Sequence, residues 1–387
     1  MSNGDQAFTF TIDLTDEQKL IQQSVREFAQ TEVKPLVMEL DETQTFPEQL
    51  VKRMGELGFL GAIAPPEFGG TGMTAIESSI ITEEIARVDP SLALFLAGHV
   101  GLCLQHILMH ASEEQKAKYV PDLVTGKSIG SWCLTEPSSG SDSAGMLTTA
   151  VLNGDHYVLN GTKNFITNGS HASTFVVLAK TDPSKGNSGI SAFIAERAMG
   201  VAVGRKENKL GMRSSDTSQL VFDNVRVPKA NLIGKEGEGF KQALKVLDSG
   251  RVGIAALALG LAQGALDAAV KYVKERKQFG KPLSEFQAIQ FKLADMATQI
   301  EAARLMTYHA AVAKNRGENY TRLAAEAKLF ASEVAERAAA DAVQIHGGYG
   351  FIKDFPVEKF YRDVKVLTIG EGTSEVQRIV IARSLLK

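Results

Sequence analysis

The sequence predicts an α+β fold in three parts: an N-terminal helical domain, a central β-barrel-like domain and a C-terminal four-helix bundle. Three observations carry this. Apolar residues recur at helical spacing through residues 1–127. An Asn-Gly turn signal and strand-like runs occupy 128–233. Long helical periodicity then returns at Gly239 and fills 234–387, with Ala-rich stretches suited to closely packed helices. A chain of 387 residues is long enough for two or three domains.

Thr15-Asp16-Glu17-Gln18 opens the first helix as a capping box, with Thr15 as cap and Gln18 reaching back. Leu20, Ile21, Val25 and Phe28 follow on one helical face. The spacing predicts further helices over Phe46–Leu57, Thr74–Val88, Ser91–Met109 and Ser112–Thr125, punctuated by clusters such as Pro65-Pro66-Glu67-Phe68-Gly69-Gly70. In the second part, Asn153-Gly154 sits between Thr149–Leu152 and His156–Leu159 as a hairpin. Strands are predicted at Thr174–Ala179, Ile190–Ala195 and Gln219–Val227, the last stopped by Pro228. Ile254–Val273 and Ala324–Ile345 are the most regular helices of the third part.

Composition excludes several classes. With 44% hydrophobic and 22% charged residues the chain reads as an ordinary globular protein. A formal net charge of −3 gives no general reason to expect nucleic acid or an anionic membrane as partner. Cys103 and Cys133 cannot build a disulfide framework and read as buried free thiols. No apolar run approaches the roughly 18–20 residues of a membrane span, so no membrane insertion is expected. Met1–Asp13 lack Arg and a basic-then-apolar order. The expected location is therefore cytoplasmic, although a matrix protein with its presequence removed would look the same. His106 and His110, four apart, lack a third metal ligand, so no metal is expected. Pro121–Ser128 ends like a phosphate loop but has Pro121 at the required glycine, and no Gly-x-Gly-x-x-Gly follows a strand.

Several segments carry chemistry. In Thr368–Arg378 one carboxylate, Glu371, stands between Gly370 and Gly372 and beside Leu367 and Ile369. Flanking glycines permit close backbone approach and unusual conformations, and desolvation raises a carboxylate toward general-base strength. The same pattern also suits a solvated loop or a helix cap. Trp132–Asp142 runs from a strand into small polar residues whose hydroxyls and amides suit a flavin edge or a phosphate, or an ordinary turn. Asn164–Gly169 is similar. Asp248 and Arg251 share a helix face, as surface ion pairs do. Arg276, Gln278 and Phe279 are expected to close a helix before Gly280, where a cation is favoured by the helix dipole. Gln344–Phe351 ends another helix with glycines that cap it or admit a ligand.

Taken in order, Trp132–Asp142, Tyr272–Gly280, Gln344–Phe351 and Ile369–Arg378 make the chain resemble the acyl-CoA dehydrogenase family along essentially its full length. The resemblance implies FAD, held without a covalent link between the β domain and the C-terminal bundle. It implies cofactor contacts at Trp132, Leu134, Thr135, Ser141, Phe165, Thr167, Arg276, Gln278, Phe279, Gln287, Gln344, Gly348, Thr373 and Glu375. Ser141, Asp248, Arg251, Gly370 and Gly372 would face acyl-CoA, and Glu371 matches the catalytic base. Some members carry that base just before the arginine corresponding to Arg251; here that position is Gly250. Many straight-chain members have Tyr before the base, whereas this chain has Gly370. Trp132 and Phe165 exchange aromatic types found at those positions. The implied activity is α,β-dehydrogenation of an acyl-CoA, with electrons passed to electron transfer flavoprotein by a homotetramer built as a dimer of dimers. An acyl-CoA oxidase or a non-dehydrogenase member of the fold is the alternative.

Overall fold

The computed structural model describes residues 14–387; the targeting reading of Met1–Asp13 lies outside them. The first part contains α1 (Asp16–Phe28), α2 (Val37–Thr43), α3 (Glu48–Glu56), α4 (Ala75–Ala86), α5 (Pro90–Leu96), α6 (Gln105–His110) and α7 (Glu113–Val124). The Thr15 capping box is present: the Gln18 N–H donates to Thr15 Oγ1 at 3.2 Å and the Thr15 N–H to Gln18 Oε1 at 3.0 Å. Thr74 with Glu77 and Ser112 with Gln115 open α4 and α7 in the same way. Between α5 and α6 the expected continuous helix widens into a π segment, Ala97–Leu104. There the backbone reaches the β part: a Cβ on Gly98 would lie 3.0 Å from Thr167 Cγ2.

The second part holds β1 (Gly130–Cys133), β2 (Thr149–Asn153), β3 (His156–Thr167), β4 (Thr174–Lys180), β5 (Ile190–Glu196), β6 (Ala202–Lys206), β7 (Thr217–Pro228) and β8 (Leu232–Ile233). They form an eight-stranded sheet ordered β6-β7-β3-β2-β4-β5-β8, with β1 parallel to β4. Asn153 pairs with His156, so the hairpin turn is Gly154-Asp155, one residue later than expected, with Gly154 at φ 64°. Tyr157, Phe175, Phe193 and Phe222 fill a core of its own beneath this sheet.

The third part comprises α8 (Gly239–Glu275), β9 (Lys277–Gln278), β10 (Lys281–Pro282), α9 (Gln287–Asn315), α10 (Thr321–His346), α11 (Val357–Asp363) and α12 (Ser374–Leu385). Helices α8, α9 and α10 pack together, α12 lies on α10, and α4 lies on α8. Small residues permit this: Ala255, Ala258 and Ala262 on α8 and Ala331, Ala335 and Ala339 on α10 are buried. Arg276, Gln278 and Phe279 depart from the expected helix end. Helix α8 stops at Glu275, Arg276 is extended, and β9 and β10 pair across a turn at Phe279-Gly280. The favourable last-turn position therefore does not belong to Arg276.

Two helical stretches, Pro90–His110 and Gly239–Glu275, do reach the length and hydropathy of a membrane span, contrary to the sequence reading. Scattered polar residues interrupt them without lowering the mean enough. In the fold, 67% and 78% of those windows are buried inside the protein. A buried ionic cluster joins all three parts. Lys359 Nζ lies 2.8 Å from Asp89 Oδ1 and 2.6 Å from Asp363 Oδ2, and Asp363 Oδ1 accepts from the Met212 N–H at 2.5 Å.

Candidate active site

Glu371 lies in the turn between a tight helical segment, Val364–Thr368, and α12, whose first turn is capped by Thr373 Oγ1. Glu371 itself has φ 53° and Gly372 has φ 93°, whereas Gly370 is not left-handed. The unusual backbone was expected on the glycines, and half of it falls on the acid. A non-glycine residue held there costs about 1–2 kcal/mol. Side chains from two helices hold the turn. Gln377 Nε2 donates to the carbonyls of Glu371 and Gly372 at 3.2 and 2.8 Å, and Lys328 Nζ donates to Gly372 O at 2.7 Å.

The Glu371 carboxylate lies on Gly250 of α8: a Cβ there would collide with Oε2. Gly250 and Glu371 thus occupy one spot from opposite sides, which is why a base can in principle come from either position. Although the residue as a whole is half-buried, Oε2 is out of water and accepts no hydrogen bond. Burial pushes the carboxyl up to about 7, with Lys328 and Arg251 pulling the other way. The Glu371 backbone N–H donates to nothing within the described residues.

Next to Gly250 on α8, Arg251 Nη1 meets Asp248 Oδ1 at 2.6 Å, while Thr321 Oγ1 donates to Asp248 Oδ2 at 2.6 Å. The surface ion pair expected from spacing is instead buried, with side-chain exposures of 6% for Arg251 and 17% for Asp248. Arg251 Nε is buried and unpartnered. A desolvated guanidinium with an unused donor suits a polar ligand.

Strands β1 and β3 bring the second group together. The Asn164 N–H donates to Thr135 O at 2.8 Å, and Ser131 Oγ donates to Thr167 O at 2.8 Å. Leu134 is buried, Thr135 and Thr167 are half-buried, and Phe165 is 60% exposed at φ 55°. The Trp132 indole donates to His106 Nδ1 at 3.0 Å, and His106 Nε2 faces Gln242 Oε1 at 3.2 Å. Burial lowers His106 to about 3, so the ring is neutral and its Nε2–H donates to Gln242. Ser141 is exposed on a loop closed by Glu136, whose carboxylate accepts from the Leu147 and Thr148 N–H groups and from Lys163.

A third group lines a groove of ≈550 Å³: Arg276, Gln278, Ile345, Gly347, Gly348 and Tyr349. The Arg276 guanidinium lies 5.3 Å from the Tyr349 ring centre. Gly347 caps α10 at φ 59°, and a Cβ on Gly347 or Gly348 would meet nothing within 4 Å. Phe279 is 93% exposed, and Gln287 and Gln344 are also exposed. Thr373 and Glu375 line a separate groove of ≈450 Å³. A cation beside open glycine backbone fits a pyrophosphate, and the exposed Phe165 beside Thr167 fits a flat aromatic ring system.

Models of the acyl-CoA dehydrogenase N-terminal, middle and C-terminal domains match residues 15–127, 131–225 and 237–386. The chain belongs to the acyl-CoA dehydrogenase family. It is accordingly an FAD-dependent flavoprotein oxidoreductase. It is 50% identical to the short-chain specific acyl-CoA dehydrogenase of Clostridium acetobutylicum, covering 97% of this chain and 99% of that protein. It is 45% identical to the caffeyl-CoA reductase-Etf complex subunit CarC of Acetobacterium woodii, over 96% and 99% of the two chains. The solved butyryl-CoA dehydrogenase of Megasphaera elsdenii superposes with a TM-score of 0.96 at 44% identity, covering 98% of this chain and all of that one.

Within this acyl-CoA dehydrogenase, four site-forming residues escaped the sequence reading: Lys328, Gln377, Glu136 and His106 in its hydrogen-bonding role. Lys328 carried a signal, since it interrupts the alanine-rich face formed by Ala324, Ala327 and Ala331. A lysine on a buried face needs a partner, and here it finds the turn holding Glu371. The others have no local signature.

Proposed function

We propose that this chain dehydrogenates an acyl-CoA thioester to the trans-2-enoyl-CoA, with Glu371 removing the α-proton and electrons leaving to an electron transfer flavoprotein. The observation that carries the reading is the Glu371 carboxylate, buried, unpaired at Oε2 and raised to about 7. A base at that value is ionised for half the molecules at neutral pH and is strong enough to take a proton. A thioester α-proton leaves only if its carbonyl is stabilised as charge develops, and the unused Glu371 N–H is a donor for that oxygen. Bound FAD supplies the acceptor for the β-hydrogen as hydride and so for both electrons. Arg251 and Asp248, with Ser141 at the loop rim, hold the CoA portion. Arg276, Gln278 and Gly348 receive the pyrophosphate and adenosine, with the exposed Phe279 covered by a second subunit in a dimer of dimers. An acyl chain arriving over Glu371 removes its remaining water and strengthens it further.

The same carboxylate, protonated, returns a proton to an enoyl thioester. Similarity to a protein named as a caffeyl-CoA reductase favours this as the second reading, with net direction set by the electron partner. The test is anaerobic bleaching of the flavin by butyryl-, isobutyryl- and octanoyl-CoA. Glu371→Gln is expected to keep FAD and lose about three decades or more of rate, within the roughly 10²–10⁴ range for a general base. Turnover near wild type in a folded, yellow variant would place the base elsewhere.

A further inference from the structure

A small cavity of ≈50 Å³ lies between α4, the π segment and α8, walled by Ser79, Thr82, Ala97, Gly101, Val252 and Gly253. Phe59, Ile81, Leu96 and Val100 make most of the remaining wall apolar, and one polar cluster interrupts it. Lys314, near the end of α9, donates to Ser249 Oγ at 2.5 Å and to Gln105 Oε1 at 3.2 Å. Burial, with no carboxylate to oppose it, draws the ammonium down to about 8. Among the described residues, two neutral oxygens are thus all that solvates a cation taken out of water.

The cavity and the proposed base meet neighbouring residues of α8. Ser249 immediately precedes Gly250, on which the Glu371 carboxylate rests. Gly253 is three residues further along α8, on the same side as Gly250. Cβ atoms on Gly253 and on Gly101 opposite would meet nothing within 4 Å, so no side chain closes the way at either position.

We propose that this cavity is the far end of the acyl site and that Lys314 sets the length of chain the enzyme accepts. The inference rests on Glu371 being the base, since that fixes where the α-carbon sits. A chain that fills the space beside Gly253 ends against the ammonium. A longer apolar chain must strip the Ser249 and Gln105 contacts from a cation that has no other partner, and water cannot follow into a space of this size. The residue therefore discriminates by chain length while touching no reacting atom.

The test replaces Lys314 by Met, of similar length and uncharged, in the holoenzyme. Lys314→Met is expected to raise the octanoyl-to-butyryl ratio of kcat/KM by about tenfold or more, in the range for added methylenes in an apolar pocket. Lys314→Arg, which keeps the charge, should retain the short-chain preference. Gly253→Val narrows the cavity without touching the ammonium and should lower the hexanoyl-to-butyryl ratio, giving the reading if the Met variant does not hold FAD. Equilibrium binding of butyryl- and octanoyl-CoA, followed by flavin absorbance in Glu371→Gln with and without Lys314→Met, reads length selection without turnover. An active Glu371→Gln enzyme would overturn the base assignment, whereas an unchanged binding ratio would overturn the Lys314 assignment alone. Unchanged ratios in both cavity variants, or a wild-type preference for glutaryl-CoA over butyryl-CoA, would also overturn it, the latter making Lys314 an anion receptor.

Discussion

Two glutamates with buried carboxylate oxygens, one in the β part and one before the last helix, are held in opposite ways. The Glu136 carboxylate accepts from Lys163 at 2.8 Å and from two backbone N–H groups, and those partners outweigh burial and hold it below its ordinary value. Glu371 has two cations nearby, yet Oε2 accepts nothing and burial wins, to about 7. Between these two glutamates the difference lies in the partners: the Glu136 carboxylate is saturated, whereas Glu371 keeps Oε2 without a donor. The pH consequences are opposite in sign. Glu136, depressed in the fold, contributes stability above the ordinary carboxylate value and loses it on acidification. Glu371, raised in the fold, contributes stability below the ordinary 4.5 and loses it as pH rises through about 7.

Breaking the saturated carboxylate should have the largest effect on folding. Glu136→Gln leaves the fully buried Lys163 without its counter-ion, and about 3–5 kcal/mol of stability should be lost, read as a fall in the denaturation midpoint. Glu371→Gln at pH 8 should lower the midpoint not at all, because it removes a charge that burial disfavours. A comparable fall in both variants would dissolve the contrast.

On the Glu371 side, Gly370 offers a sharper probe. A Cβ there would come within a tight 3.3 Å of Val366 O and 3.9 Å of Val366 Cγ2, and the backbone is not left-handed, so no backbone strain demands glycine. Gly370→Tyr should shift the isobutyryl-to-butyryl ratio of kcat/KM downward by about one to two decades, as overpacking of about 1–3 kcal/mol implies. An unchanged ratio would mean the ring turns away from the acyl group.

The smallest expected effect tests what keeps Glu371 from rising higher. Lys328 lowers its value, so Lys328→Met should move the acidic limb of the kcat/KM profile to higher pH by on the order of 1 unit. A limb that stays in place would assign Lys328 to holding Gly372 O only.

Local chemistry made much of this legible. The Thr15 box and the hairpin could be read because each partner lies within a few residues of the other, and Glu371 stood out by its glycines and apolar neighbours. Arg276 was misplaced by one residue because helix propensity does not foretell that a ladder with Lys281–Pro282 will take over. The π widening at Ala97–Leu104 leaves no mark in apolar periodicity. Trp132–His106, Glu136–Lys163 and Lys328–Gly372 join residues 26, 27 and 44 positions apart, so only the assembled fold reveals them. The strained backbone of Glu371 was assigned to its neighbours because sequence shows which residues tolerate such a conformation, not which must adopt it.

The Lys359 cluster bears on how such a chain can be recombined with its relatives. Its contributions are unequal in kind: Asp89, Lys359 and Asp363 enter through side chains, whereas Met212 enters through a backbone N–H that any residue except proline supplies. Grafting a β part from a relative therefore leaves the charge balance intact whatever stands at that position. Exchanging either helical part alone is a different matter, since a mismatch strands a charge with no route to water. At this cluster the two helical parts, though far apart in the chain, are matched to each other through charged side chains, and the sheet only through its backbone.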